Sequence, residues 1–454
     1  LALTDDGIYW PDEIYQTLEP AHRLVFGYGL VAHEFVRGMR SWVLPWLIAV
    51  PLELWKLAGG TDPRGYLALA HLSFVAVAVA TAYGVHRLAR ACGANPLAAT
   101  AAAGLFSLAA PCIYFGHRPL SETASALPVV LGFALALDPS STRRSRLAGA
   151  SLLGFSVLLR LQNGIFCAAL VLFLLARRKP RDALLSLAVL SAWALAFGLF
   201  DLFTWGSLFH SATAYLRFNA LEGRSALWGV SPPSYYAAVL WRCMPLPLLC
   251  IAIFAPLAAG RAAGAGLLCI ALGFAVLHSL VPHKELRFFL PALPLFCALA
   301  GVGMDVVARN RLLRIAPPVL VLACGVFSAA AFHTLRFGQL GQYEQVKPRA
   351  WAYDDFGQVN RLLLAAHDLP DLCGLKLEGV DLVWSGGYSY LHRPVPLYPH
   401  DTGPGRAAGT FNYALAVRGR ASGPGTVVAR QGPYDLLRVR DGCVPDPAFS
   451  PLLR

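Results

Sequence analysis

Two runs of ionisable residues interrupt an otherwise apolar chain, and each has the side-chain types for one half of a group-transfer reaction. The first is Trp10-Pro11-Asp12-Glu13-Ile14-Tyr15-Gln16-Thr17-Leu18-Glu19-Pro20-Ala21-His22. Pro11 suits the first turn of a helix, and acids placed there complement the positive end of the helix dipole. The spacing predicts a helix running to Phe26 and ending at Gly27 or Gly29. A carboxylate at Asp12 or Glu13 stays ionised in that position and can take a proton from an attacking hydroxyl. Gln16 falls one turn after Asp12, on the same face. The plainer alternative is that both acids only complement the dipole. The second run is His283-Lys284-Glu285-Leu286-Arg287-Phe288-Phe289-Leu290-Pro291. In helical geometry Arg287 lies over His283 and Lys284, a cationic fork suited to phosphate, with Glu285 placed to hold Lys284 or Arg287. The alternative there is snorkelling to lipid headgroups.

Lesser candidates surround these. His33 and Glu34, followed by Arg37 and Arg40, form either a polar wall beside the first run or an ordinary interfacial loop. Glu122 and Arg160 lie near apolar helices, where an ionisable side chain is costly and points to function. No Asp-x-Asp run and no histidine cluster of ligand spacing occurs, so neither a metal nor any other cofactor is expected. The sequence contains no glycine-rich nucleotide loop, which disfavours a transporter driven by its own ATPase.

The elements that must position these residues are membrane helices. Of the 454 residues, 56% are hydrophobic and 14% charged, against roughly 25% charged in a soluble domain. Residues 66–85, 97–114, 183–200, 264–281, 288–304 and 315–332 are nearly charge-free and approach the roughly 20 residues of a spanning helix. Segments 147–159 and 164–176 read as a hairpin, and about ten spans fit between 66 and 332 by that length rule. Segment 41–58, broken by Pro45 and Pro51, is expected to be re-entrant or to lie along the interface. Leu-Ala-Leu-Thr at the start reads as the end of a preceding membrane helix.

The net charge of +12 sits in short clusters between apolar runs, the pattern of cytoplasmic loops and not of a nucleic-acid partner. That orientation puts Gly116-His117-Arg118, the aromatic 204–243 loop, the 283–287 run and the tail outside the cytoplasm. The expected organisation is therefore a first outer loop at 1–40, a transmembrane domain at 41–335, and a soluble extracytoplasmic domain at 336–454. The last reads as a small α+β domain with strands near 380–384, 411–417 and 425–430. Its Cys373 and Cys443 can pair if it faces an oxidising compartment.

Pro-Asp-Glu-x-Tyr-Gln at 11–16, Phe-Gly-Tyr-Gly at 26–29, His-Glu-Phe at 33–35 and His-Lys-Glu-x-Arg-Phe at 283–288 together resemble glycosyltransferase family 22. Within the family they look closest to the branch that adds the third mannose of GPI anchors. The resemblance spans roughly residues 5–305 and leaves the C-terminal domain unmatched. It implies an all-α polytopic membrane protein of the GT-C fold, a polyprenyl- or dolichyl-phosphate mannose donor, a glycan or glycolipid acceptor, and inversion at the anomeric carbon. Asp12 matches the family's catalytic acid, while His33 replaces its usual aromatic. The expected site joins Asp12 and Glu13 with the phosphate-binding His283, Lys284 and Arg287, supported by Gln16, Glu34, Arg40, Glu122, Arg160 and Glu285. The 204–243 loop is expected to line the sugar or acceptor site. The location is a bacterial inner membrane with a periplasmic site, or the endoplasmic reticulum membrane in a eukaryote. Transfer of another polyprenyl-phosphate sugar is the alternative, and a non-enzymatic lipid or sugar transporter is a more distant one.

Overall fold

A computed structural model describes residues 3–341, 351–354, 357–403, 409–421 and 423–449. The reading of the first four residues as the end of a membrane helix falls on residues 1–2, outside this set, and on Leu3 and Thr4, which form a turn. The chain divides into two units, each discontinuous in sequence: residues 38–43 with 74–351, and residues 1–37 with 44–73 and 352–454.

The first unit is helical. Pro63–Ala91, which enters it at Phe74, Pro180–Trp205 and Ala262–Leu280 are long and apolar enough to cross a membrane. Pro180–Trp205 buries Asp182, Ser186 and Asp201 and turns Leu184, Leu187, Leu195 and Leu199 outward. That inverts the pattern of a soluble helix and leaves an apolar surface for lipid, while Asp182 pairs with Arg146 and Asp201 accepts from Ser211 inside. Shorter helices complete the unit, among them the apolar Ser121–Leu137, Gly164–Ala176, Leu293–Ala308 and Ala316–Phe332 and the more polar Arg143–Leu159. Small residues let them approach closely. A Cβ on Gly301 would stand 2.6 Å from the Cβ of Ala102 and 2.9 Å from the carbonyl of Ala98.

Two sequence expectations for this unit need correction. Segment 97–114 is not one helix but two, Pro96–Ser107 and Ala110–Phe115, because Pro111 has no amide to continue the first. The 204–243 loop is largely helical, with short turns at His210–Leu216, Arg217–Leu221, Arg224–Trp228 and Tyr235–Cys243. Gly206, Gly223 and Gly229 adopt positive φ and keep each piece short.

The second unit holds the N-terminal segment and the C-terminal sheet. A π-helical turn, Ile14–Leu18, leads into the helix Glu19–Phe26. It stops where expected: Gly27 takes the left-handed conformation and donates its amide to Arg23 at 2.9 Å. Val43–Leu57, which enters the unit at Leu44, is a single helix of 15 residues. It is about 22 Å long and so falls short of a bilayer's roughly 30 Å hydrocarbon core. Ile48 and Leu52 are buried while Trp46, Val50, Leu54 and Leu57 face outward.

The sheet runs β2-β1-β3-β5-β4. β1 (Leu375–Glu378) lies parallel to both β2 (Leu397–Tyr398) and β3 (Tyr413–Val417). β5 (Tyr434–Arg438) is antiparallel to β3 and to β4 (Thr426–Gln431). The helix Gly357–His367 packs on β4 and β5. The expected strand at 380–384 is instead a 3-10 turn, Leu382–Trp384. Gly379, at φ 73°, swings the chain off the sheet directly after β1. Cys373 and Cys443 form a disulfide.

Candidate active site

Asp12 sits in the first turn of the N-terminal helix, where the Ile14 and Tyr15 amides donate to the Pro11 carbonyl. Glu13 beside it is 2% exposed. Its carboxylate accepts from the backbone amides of Tyr9 and Trp10, so it fastens the turn that presents Asp12. Gln16 reaches sideways and donates its amide to Glu34 at 2.9 Å, joining two of the expected supporting residues.

The same run carries three residues that sequence reasoning passed over. Glu19, fully buried, accepts hydrogen bonds from the amides of Leu30 (2.8 Å), Tyr388 (3.1 Å) and Ser389 (2.8 Å), and from the Ser389 hydroxyl (2.6 Å). Tyr15 donates its hydroxyl to the Leu382 carbonyl at 2.6 Å. His22 Nε2 pairs with Nδ1 of His392 at 2.9 Å. Burial holds the His22 imidazole down to a pKa of about 3, helped by the neighbouring His392, and burial holds His392 itself down to about 4. The only sequence signal was the presence of an acid and a histidine in a run already marked by Asp12. Their partners lie some 370 residues away and carry no pattern of their own.

In the helical unit, the 283–287 run departs from the helical fork. Residues 281–283 bend, Lys284 and Glu285 lie outside any helix, and only Leu286–Phe289 forms a 3-10 turn. The extended Glu285 (φ −135°, ψ 145°) prevents the regular turn that would stack Arg287 over His283 and Lys284. Glu285 does the joining instead. It accepts from His283 Nε2 at 2.9 Å and from Arg287 Nε at 2.5 Å. Burial alone would raise its pKa, but Arg287 and His283 outweigh that and hold it at about 2. Lys284 is not held by Glu285; its ammonium donates to the carbonyls of Ser231 (2.7 Å) and Val281 (2.6 Å).

Glu122 and Arg160 join this set. Glu122 opens the helix Ser121–Leu137 and Arg160 closes Arg143–Leu159, and these two helices pack on each other. Arg160 Nη1 donates to Glu122 Oε1 at 2.5 Å, and Arg287 Nε stands 3.9 Å from the same oxygen. Both guanidinium groups flank one ring, with Arg160 Cζ 5.0 Å and Arg287 Cζ 5.3 Å from the centroid of Phe288. The result is a chain of alternating charge, Arg160–Glu122–Arg287–Glu285–His283, buried up to the partly exposed His283. With Lys284 the lasting cations outnumber the acids by three to two. Phe288 was another residue missed, although an aromatic directly after Arg287 was there to be read. Arg40 lies apart from this chain, its guanidinium 5.8 Å from the Tyr215 ring. Among the described residues, no group of three or more His, Cys, Asp or Glu is arranged to hold a metal.

The sequence profile of the Alg9-like mannosyltransferase family matches residues 2–365. GPI mannosyltransferase 3 of Yarrowia lipolytica is 31% identical over 308 residues, 65% of this chain and 58% of that protein. GPI mannosyltransferase 3 of Schizosaccharomyces pombe is 26% identical over 416 residues, 81% of this chain and 78% of its own length. The chain thus spans little more than half of the first relative and about three quarters of the second. Among solved structures, ArnT from Cupriavidus metallidurans bound to undecaprenyl phosphate superposes with a TM-score of 0.60 at 16% identity, covering 96% of this chain and 95% of that one. At that identity the likeness is one of fold: a helical GT-C membrane architecture with a small C-terminal sheet.

Proposed function

The chain belongs to the Alg9-like mannosyltransferase family, and from that membership and the two residue sets above we propose that it moves mannose from a polyprenyl- or dolichyl-phosphate carrier to a hydroxyl of a glycan or glycolipid. The observation that carries this reading is the buried chain through Glu122, Arg287 and Glu285, which keeps guanidinium groups ordered and leaves cations in excess. Such a set stabilises the charge that grows on a phosphate oxygen as its bond to sugar breaks.

Asp12 is the base. The acceptor oxygen attacks the anomeric carbon, and its proton passes to the Asp12 carboxylate. The carbon–oxygen bond to the phosphate breaks, and the electron pair leaves with the lipid phosphate towards Arg287, Arg160, Lys284 and His283. One displacement with one base and no covalent intermediate inverts the anomeric centre, as in inverting glycosidases. Glu13 positions the turn that carries Asp12, and Glu34 with Gln16 orients the acceptor. Organic cations supply the charge a divalent metal would otherwise bring, so the reaction requires no metal. The reaction takes place on the extracytoplasmic side, at a periplasmic face or within the endoplasmic reticulum lumen.

Membranes containing the protein, given radiolabelled polyprenyl-phosphate mannose, should transfer label to glycolipid, and Asp12→Asn should slow this by two orders of magnitude or more. Transfer at the wild-type rate by Asp12→Asn would overturn the assignment. Unlabelled polyprenyl-phosphate glucose and arabinose as competitors separate mannose from other donor sugars.

A further inference from the structure

The helical unit holds a second polar cluster next to the charged chain, and the proposal above does not use it. Gln162 donates its side-chain amide to the Tyr215 hydroxyl. The Arg40 guanidinium stands 5.8 Å from the Tyr215 ring. Trp205 donates its indole N–H to the Arg40 carbonyl at 3.1 Å and stacks on His210 with ring centroids 5.4 Å apart. Gln162, Arg40, Tyr215, Trp205 and His210 are all partly exposed, neither sealed in a core nor fully in solvent. Flat aromatic faces beside planar hydrogen-bonding groups offer what a hexopyranose presents: an apolar ring face and a rim of hydroxyls.

Position decides which sugar this is. Gln162 and Arg160 belong to one short turn, Arg160 as the residue that closes the helix Arg143–Leu159 and Gln162 within Leu161–Asn163. Two residues span at most roughly 7 Å of backbone. Arg160 turns into the charged chain through Glu122, and Gln162 turns to Tyr215. In a polyprenyl-phosphate sugar the hexose is one ester bond from the phosphate, so a ligand whose phosphate lies at Arg160 and Arg287 carries its ring within reach of Gln162. We propose that Gln162 and Tyr215, with Arg40 and Trp205 behind them, form the subsite that reads the sugar of the lipid-phosphate donor. This rests on the phosphate role of the charged chain. The subsite distinguishes a glycosylated carrier from the bare carrier released after transfer.

The test is equilibrium binding to the full chain in lipid nanodiscs, with a short polyprenyl phosphate and its β-mannoside as the two probes. The wild type should bind the mannoside about tenfold more tightly, the worth of one or two hydrogen bonds. Tyr215→Phe keeps the ring, and Gln162→Leu keeps the volume. Each should erase most of that preference while binding of the bare phosphate stays within about twofold, which also reports that the variant is folded. Equal binding of both probes by the wild type, or an undiminished preference in both variants, overturns the subsite. Arg287→Gln is the separate arm: it should weaken both probes alike. If it weakens neither, the phosphate role fails, while a preference lost only in the Tyr215 and Gln162 variants would still place the sugar there.

Discussion

Glu19 and Ser389 are 370 residues apart, and the carboxylate of one accepts both the backbone amide and the hydroxyl of the other. With Tyr388 and Leu30 adding amides, a fully buried acid collects four donors and ties the N-terminal segment to the C-terminal domain. Gly387 makes room for it: φ is 55°, and a Cβ there would come within 3.0 Å of the carboxylate. Glu19→Ala leaves those donors buried without an acceptor, at roughly 1–3 kcal/mol for each. The expected result is a melting temperature lowered by many degrees and early proteolysis near 380–392. Glu19→Gln, which keeps one acceptor oxygen, should fall between. A wild-type melting curve for Glu19→Ala would remove the clasp from the account.

What the sequence made legible follows from how local each signal is. The helix from Asp12 to Phe26, its stop at Gly27 and the hairpin around Arg160 are written in neighbouring residues, and the structure has them. Strands β3 and β4 were readable as short β-branched or alternating runs, whereas β1, Leu-Lys-Leu-Glu, has the composition of any amphipathic segment. The fork of cations at 283–287 is not helical because Glu285 is extended in the middle of it, and Glu285 serves as the connecting piece. The clasp through Glu19 and His22 was invisible because its meaning lies in partners on the far end of the chain.

His22 and His392 make that clasp sensitive to acid. Their folded pKa values, about 3 and about 4, lie below the ordinary 6.5. As pH falls from 6.5, the unfolded chain takes up protons that the folded chain refuses, so stability drops. Each imidazole contributes up to about 1.4 kcal/mol per pH unit. The loss runs from about pH 6.5 to the folded values, and nothing changes above that window. His367 and Asp62 are the neighbouring groups that bear on His392. Thermal melts at pH 7.5 and 5 should separate clearly, and His392→Gln should narrow the gap. A gap that His392→Gln leaves unchanged would assign the acid sensitivity elsewhere.

The Glu122–Arg160 pair separates stability from function. Its side chains are 2% and 4% exposed, so removing either alone strands a buried charge and should cost roughly 3–5 kcal/mol. Replacing both, as Glu122→Leu with Arg160→Leu, removes the stranded charge and should recover much of that loss. Binding of polyprenyl phosphate should not recover, because Arg160, one of the cations proposed to meet the phosphate, is gone. Melting and lipid-phosphate binding on the three variants check both halves, and a double variant with normal binding would show the pair to be structural alone.

Chelation offers a direct test of the charge chemistry. With guanidinium and ammonium groups taking the phosphate, transfer should continue at an unchanged rate in excess EDTA. Added salt should slow it modestly, since the groups are buried and screened less than surface charges. A rate that collapses in EDTA and returns with magnesium or manganese would require a metal that this donor set does not hold by itself.

The Cys373–Cys443 disulfide reports on the side of the membrane. It closes a loop across 70 residues of separation and should stabilise its domain by roughly 2–4 kcal/mol. A bond of this kind persists in the periplasm or the endoplasmic reticulum lumen and is reduced in a cytosol. In intact bacterial cells, a membrane-impermeant maleimide should therefore ignore both cysteines until an external reductant is added, then label both. Cys373→Ser should leave Cys443 reactive without reductant and lower the melting temperature of the domain. Labelling of both cysteines only after the membrane is broken, with no reductant needed, would put the domain in the cytoplasm and the proposed transfer reaction on the wrong face.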